Sequence, residues 1–182
     1  MDREQALALM RAKTEKPNLR KHMLATEAVM RELARQLGAE VELFGMVGLL
    51  HDLDYDQTLD KPDEHGLRAA DELARLGYPD EVVAAVRAHN PANTHRESLL
   101  DRALHAVDPL TGLIVAAALI TPAKKLSAID GGFVLNRMGE KGFARGANRE
   151  QIRSCEAFGL PLADFLALGV RAMQGIAAEL GL

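Results

Sequence analysis

Tryptophan is absent from this chain of 182 residues, cysteine occurs once, and aromatic residues make up only 4%. A single cysteine, Cys155, excludes an internal disulfide framework and fits a reducing compartment. No stretch alternates apolar and polar residues as a half-buried strand does, and Ala and Leu, both strong helix formers, dominate the apolar set. A surplus of positive charge is missing too: 22 Lys and Arg stand against 26 Asp and Glu, a net charge of −4. That balance gives no electrostatic reason to expect a nucleic-acid polymer or an anionic membrane as partner. The longest apolar run, Leu110 to Ile120, is too short to span a bilayer and reads as a buried helix. The opening MDREQALALMRAKTEK has early acids and no long apolar run, unlike a signal peptide. There is no repeat, no low-complexity segment and no break in composition. The expectation is one cytoplasmic domain spanning residues 1–182.

The composition is 48% hydrophobic, enough at this length to bury a core. Its pattern predicts helices joined by short connectors, an all-α bundle. Asp2 caps a first helix to about Lys13, and Lys16-Pro17-Asn18 breaks it. A second runs from about Leu19 to Leu37 with Gly38 as stop, and a third from about Glu40 to His51. LDYDQTLDKPDE reads as a polar connector, with Asp63 capping a fourth helix that ends at Gly77. A fifth starts at Tyr78-Pro79-Asp80 and ends at Asn90-Pro91. Ser98 and Asp101 form a capping pair for a sixth, kinked by Pro109 and continuing to Ile120. Thr121-Pro122 opens a short helix, Gly131 to Gly146 is partly irregular, and two last helices cover about 148–158 and 161–180.

The chemistry lies in the histidines. There are six: His22, His51, His65, His89, His95 and His105. His51 and Asp52 follow the apolar helix GMVGLL, where a charge is costly unless paired or metal-bound. His89 shares a helix face with Val82 and Val86, and Asp108 shares one with Leu104, so both point inward. Inward His and Asp at the ends of different helices are satisfied by a metal, which takes imidazole nitrogen and carboxylate oxygen alike. His95, in Asn93-Thr94-His95-Arg96, reads as an exposed loop residue and His105 as packing. Asp54, Asp56 and Asp60 read as a solvated loop.

Four ordered segments carry a resemblance: HMLATEAVMRELARQLG, LLHDLDYD, EHGLRAADELARLGYPDEVVAAVRAHN and ALHAVDPLTGLIVA. Together they resemble the HD-domain superfamily of metal-dependent phosphohydrolases over about residues 19–120, leaving about 121–182 as a helical extension. The resemblance implies a compact helical bundle with a metal site between helices. It implies that His22, His51, Asp52 and Asp108 bind a first divalent ion, that Asp52 bridges to a second, and that His65 and His89 complete a dinuclear site. The ion could be Fe, Mn, Ni, Zn, Co or Mg. The chain departs from the family text HDIGK, with Asp54 and Tyr55 at the Gly and Lys positions, so a Lys able to assist phosphate chemistry is missing there.

The implied activity is hydrolysis of a phosphate ester on a nucleotide or small phosphorylated metabolite. Metal-activated hydroxide would attack, and Asp52 would hold the metals and orient the water. Lys124, Lys125 and Arg20 are candidates to bind the phosphate, with Lys21, Lys141 and Arg145 behind them. Two other readings stay open: a di-iron oxygenase of the same superfamily, and a non-catalytic nucleotide-binding module. The final apolar helix, with Phe165, Leu166, Leu168, Val170 and Met173, suits either the core or a dimer face. The Gly-rich segment from Gly131 to Gly146 is a candidate lid.

Overall fold

The computed structural model describes residues 2–90, 92, 95–140 and 142–182. In chain order the helices are α1 (Arg3–Lys13), α2 (Pro17–Leu37), α3 (Val41–Leu50), α4 (Tyr55–Thr58), α5 (Leu67–Arg75) and α6 (Asp80–Ala88). They continue as α7 (Leu99–Leu119), α8 (Gly131–Met138), α9 (Arg149–Arg153), α10 (Leu162–Gln174) and α11 (Ala177–Leu180). Short 3-10 turns cover Pro62–Glu64, Leu126–Ala128 and Ser154–Phe158. Among the described residues there is no strand, and the bundle is all-α.

The two longest helices, α2 and α7, form the spine. Helix α2 packs against α3, α7 and α10 through an apolar stripe that includes Met23, Met30 and Leu33, all fully buried. The expected break after α1 is present at residues 14–16, so Pro17 is already helical. It occupies the first turn of α2, where its missing N–H costs nothing. Gly38 ends α2 in the left-handed conformation at φ 67°, its N–H donating to the carbonyls of Ala34 and Arg35. Helix α7 starts at a reciprocal cap between Ser98 and Asp101 and runs through Pro109 to Leu119. It buries Leu104, Val107, Leu110 and Ile114, each worth about 1.5–3 kcal/mol when fully removed from water. By length and composition α7 is apolar enough to cross a bilayer, the one such helix among the described residues, yet 56% of that stretch is buried inside the fold.

Several expectations are corrected. The connector after Asp52 contains α4, and Asp63 lies in the 3-10 turn before Gly66, so it does not cap α5. Thr121-Pro122 makes a turn and no helix. Residues Gly131–Met138 are regular helix, because Asp130 accepts from the N–H of Phe133 at 2.8 Å. Helix α8 packs against α10 and α7.

One close approach positions the site. A Cβ at Gly48 of α3 would lie 2.9 Å from backbone atoms of Thr26 and Glu27 in α2, so the two helices touch backbone to backbone. Buried Glu27 holds that turn of α2, accepting from Arg3 at 2.6 and 3.0 Å and from Arg31 at 2.8 Å. The contact brings the end of α3, with His51, up to His22 on α2. Gly48→Ala is expected to force the helices apart and destabilise the fold by about 1–3 kcal/mol. Urea denaturation would read this as a lower midpoint, and an unchanged midpoint would contradict it.

Candidate metal centre

Each candidate ligand stands where a helix starts, ends or opens to a cavity. His22 is in the second turn of α2. His51 caps the C-terminal end of α3, and Asp52 follows in the turn. His89 caps the C-terminal end of α6, and Asp108 is midway along α7. His65 comes just before Gly66, the left-handed residue at φ 77° that precedes α5. A Cβ there would lie 2.9 Å from the Val86 carbonyl oxygen, so glycine lets the start of α5 sit against the end of α6. Asn90 ties the two together, its amide donating to the carbonyl of His65 at 2.7 Å and of Asp63 at 3.0 Å.

The six side chains converge. His22 Nε2 lies 3.1 Å from His51 Nε2, 3.0 Å from Asp108 Oδ1 and 3.5 Å from Asp52 Oδ2. His51 Nε2 lies 3.4 Å from Asp52 Oδ2. The other oxygen of Asp52, Oδ1, lies 3.3 Å from His65 Nε2 and 3.5 Å from His89 Nε2. One carboxylate therefore faces two donor sets: Oδ2 with His22, His51 and Asp108, and Oδ1 with His65 and His89. The groups His22, His51, Asp108 and His51, Asp52, His89 are each close enough to hold one ion.

Outer partners fix the tautomers. His51 Nδ1 faces the Gly48 carbonyl at 2.9 Å, so it carries the proton and leaves the Nε2 lone pair free. Thr111 donates its hydroxyl proton to the Asp108 carbonyl at 2.9 Å, so its oxygen accepts from His22 Nδ1 at 3.0 Å. His65 Nδ1 donates to Asp54 Oδ1 at 2.9 Å. Three Nε2 lone pairs are thereby aimed inward, at one another or at carboxylate oxygens. This is a repulsive arrangement that a cation or a proton must relieve.

In the metal-free chain protons do so. Burial opposes charge on His65, but hydrogen bonds to Asp52 and Asp54 outweigh it and push its pKa up to about 10. Burial also opposes charge on His22, yet Asp108 holds it raised. His51, wholly buried, is lowered to about 4 and is neutral at pH 7. Burial raises Asp52, and the surrounding histidines, His51 first, overcome this and hold it well below the usual range. Asp108 is lowered to about 2, burial being outweighed by the His22 hydrogen bond and the other histidines.

The site opens into a cavity of about 910 Å³ whose floor includes His22, Asp52, His65, His89 and Asp108. Its walls include Lys16, Asn18, Tyr55, Arg96, His105 and Gln151. The expected phosphate-binding cations are elsewhere. Lys124 and Lys125 are exposed beyond the C-terminal end of α7, and neither lines the cavity. Arg20 is engaged by the end of α1, its guanidinium donating to the carbonyls of Thr14 and Arg11. Lys21 and Arg145 lie in other hollows, and Lys141 lies outside the described residues. No described residue from 131 to 146 lines the cavity, which removes the basis for a lid there.

Asp54 is not solvated. It is buried, orients His65, and accepts from the backbone N–H groups of Gly66 and Ala69 at 3.1 and 2.8 Å, so it also caps α5. Asp56 accepts from the N–H of Glu15 at 2.8 Å and pairs with Lys16 at 3.1 Å, while Asp60 is exposed as expected. His95 is exposed, and His105, expected to pack, is half-buried in the cavity wall. Lys16, Arg96 and Gln151 were not singled out by sequence. Asp54 alone carried a signal, as a second acid two residues after Asp52.

The fold is a helical bundle that gathers His and Asp from five segments around one buried carboxylate, in groups that could hold a metal ion. Residues 19–129 match the HD domain family, and the chain belongs to it. That superfamily consists mostly of metal-dependent hydrolases that bind divalent metals. The chain is 32% identical over 95 residues to Ribonuclease Y of Desulfotalea psychrophila, a segment of 52% of this chain and 18% of that relative. No solved structure matches.

Two outcomes are expected. Asp54→Asn would weaken metal binding about 10–100-fold, because an oriented acceptor on a ligating histidine is worth that much. Metal titration of the folded variant would show it, and wild-type affinity would contradict it. Metal uptake would also release protons. His65 holds a proton up to about pH 10 in the metal-free chain, so affinity should rise with pH through neutrality. Calorimetry in buffers of different ionisation enthalpy would count the protons, and no buffer dependence would contradict the assignment.

Proposed function

We propose that the chain is a phosphohydrolase that uses two divalent cations to cleave a phosphate ester of a nucleotide or small phosphorylated metabolite. The observation that supports this best is the carboxylate of Asp52, whose two oxygens face two separate sets of histidines. The donor set fits first-row divalent ions, with imidazole nitrogens and anionic oxygens at mutual distances of 3.0–3.9 Å. His22, His51, Asp52 and Asp108 would hold one ion, and Asp52, His65 and His89 the other. Divalent cations at such a site lower the pKa of water and neutralise phosphate oxygens.

The chain's own residues supply the rest. Asp52, between the two donor sets and at the cavity floor, would orient the attacking water. Asp54 and Thr111 would fix the rings of His65 and His22, so the ligands need little rearrangement. Lys16 and Arg96 give the cavity two cations in place of those expected from sequence. The name Ribonuclease Y ties a relative of this segment to RNA cleavage, which is also phosphate-ester chemistry. A small phosphorylated compound, with no membrane partner, is the substrate class proposed here.

The test is a metal count on protein purified without chelator, joined to phosphate release from a panel of esters with several divalent metals. Near two ions per chain, with turnover falling at least about 100-fold in Asp52→Ala, is the expected result. Metal bound with uniform inactivity would overturn the reading, and iron with oxygen consumption would redirect it to oxygenase chemistry.

A further inference from the structure

The family match ends at residue 129, yet the cavity wall includes Gln151 from α9. The extension is built to hold that residue in place. Asn148 caps α9 by accepting from the N–H groups of Glu150 and Gln151. The Arg149 guanidinium donates to the carbonyls of Phe143, Ala144 and Ala147 at 2.5–2.7 Å, fastening the loop before it. Ile152 and Cys155, both fully buried, anchor the segment, and α9 packs against α7. Gln151 Nε2 then faces His105 Nδ1 across 3.5 Å.

His105 is one turn before Asp108 on α7, about 4.5 Å along the axis. Pro109 lacks the N–H that the His105 carbonyl would otherwise accept in the helix. With Nδ1 facing an amide donor, His105 presents Nε2–H. Arg96 is close enough to help hold His105 neutral, although burial is the larger cause. The two cavity cations differ. Lys16 is paired with Asp56 at 3.1 Å, whereas Arg96 has no carboxylate within ion-pairing distance among the described residues. A half-buried guanidinium that feels Asp101 only at a distance and has no paired carboxylate among the described residues, lining one cavity with an imidazole donor and a carboxamide, is complementary to an anion.

We propose that Arg96, His105 and Gln151 form a second anion subsite, so that the preferred substrate carries another phosphoryl or carboxylate group about one helical turn from the scissile phosphate. The proposal rests on the reading of the cavity as a phosphate-ester site. It makes the extension beyond the family match a determinant of specificity.

A ruler of simple ligands tests it without knowledge of the substrate. Alkanediol bisphosphates with two to five carbons and the matching alkyl monophosphates would be titrated calorimetrically into the manganese-loaded chain. The expected result is at least about tenfold tighter binding of the best bisphosphate than of its monophosphate, with a clear optimum of length. Arg96→Ala should abolish the preference, Gln151→Leu should reduce it, and the exposed Lys124→Ala should leave it, all with unchanged metal content. Equal binding of both series, binding of neither, or a preference that survives Arg96→Ala would overturn the proposal. Bisphosphate preference without turnover of any ester would leave the subsite standing and remove the hydrolase reading. Turnover of monoesters without preference would do the reverse.

Discussion

The structure turns on the burial of one charge, the Asp52 carboxylate, which is 5% exposed and surrounded by imidazoles. An isolated carboxylate in such a place would be strongly destabilising, and it is tolerated only where positive charge surrounds it. Here imidazoles from four segments surround it, and the compensating charge lies on His22 and His65, the two whose pKa is raised. His22 arrives on α2, His51 at the end of α3, His65 before α5 and His89 at the end of α6. With Nδ1 of His22, His51 and His65 held by outer partners, Nε2 of each faces inward, where a proton or a cation has to separate the facing lone pairs. The same feature organises the packing, because each of these helices has to be held at a fixed distance from the others.

That distance is set by backbone contacts more than by side-chain volume. Gly48 lets α3 lie on α2, and Gly66 lets the start of α5 lie on the end of α6, where a Cβ would reach backbone atoms at 2.9 Å in both cases. The buried ion pairs at Glu27 and the hydrogen bonds of Asn90 then lock those contacts. The rigid frame is a precondition for the chemistry proposed, since ligand placement within about 0.5 Å governs metal binding and catalysis.

Much of this was legible in the sequence, and the failures have physical causes. Apolar periodicity and caps placed α1, α2 and α7, where Asp2, Gly38 and the Ser98–Asp101 pair stand at the expected ends. The order of His22, His51-Asp52, His65, His89 and Asp108 marked the residues that the fold brings together. What escaped were side chains defined by partners distant in sequence. Asp54 looks like one acid among several in a polar connector, and only the chain reversal at Gly66 makes it a buried partner of His65. Lys124 and Lys125 looked poised at a helix start. They follow a 21-residue helix that carries them away from the cavity, while Arg96 comes from an irregular segment before α7 and Gln151 from the five-residue α9, whose packing on α7 no local pattern announces.

The central claim is that Asp52 lies between two cations, one in each donor set. A crystal structure of the manganese-loaded chain with anomalous scattering data tests it most directly. The account predicts two anomalous peaks, one with His22, His51, Asp108 and Asp52 Oδ2, the other with His65, His89 and Asp52 Oδ1. A map without peaks at saturating metal, with His65 still bonded directly to Asp52, would contradict it.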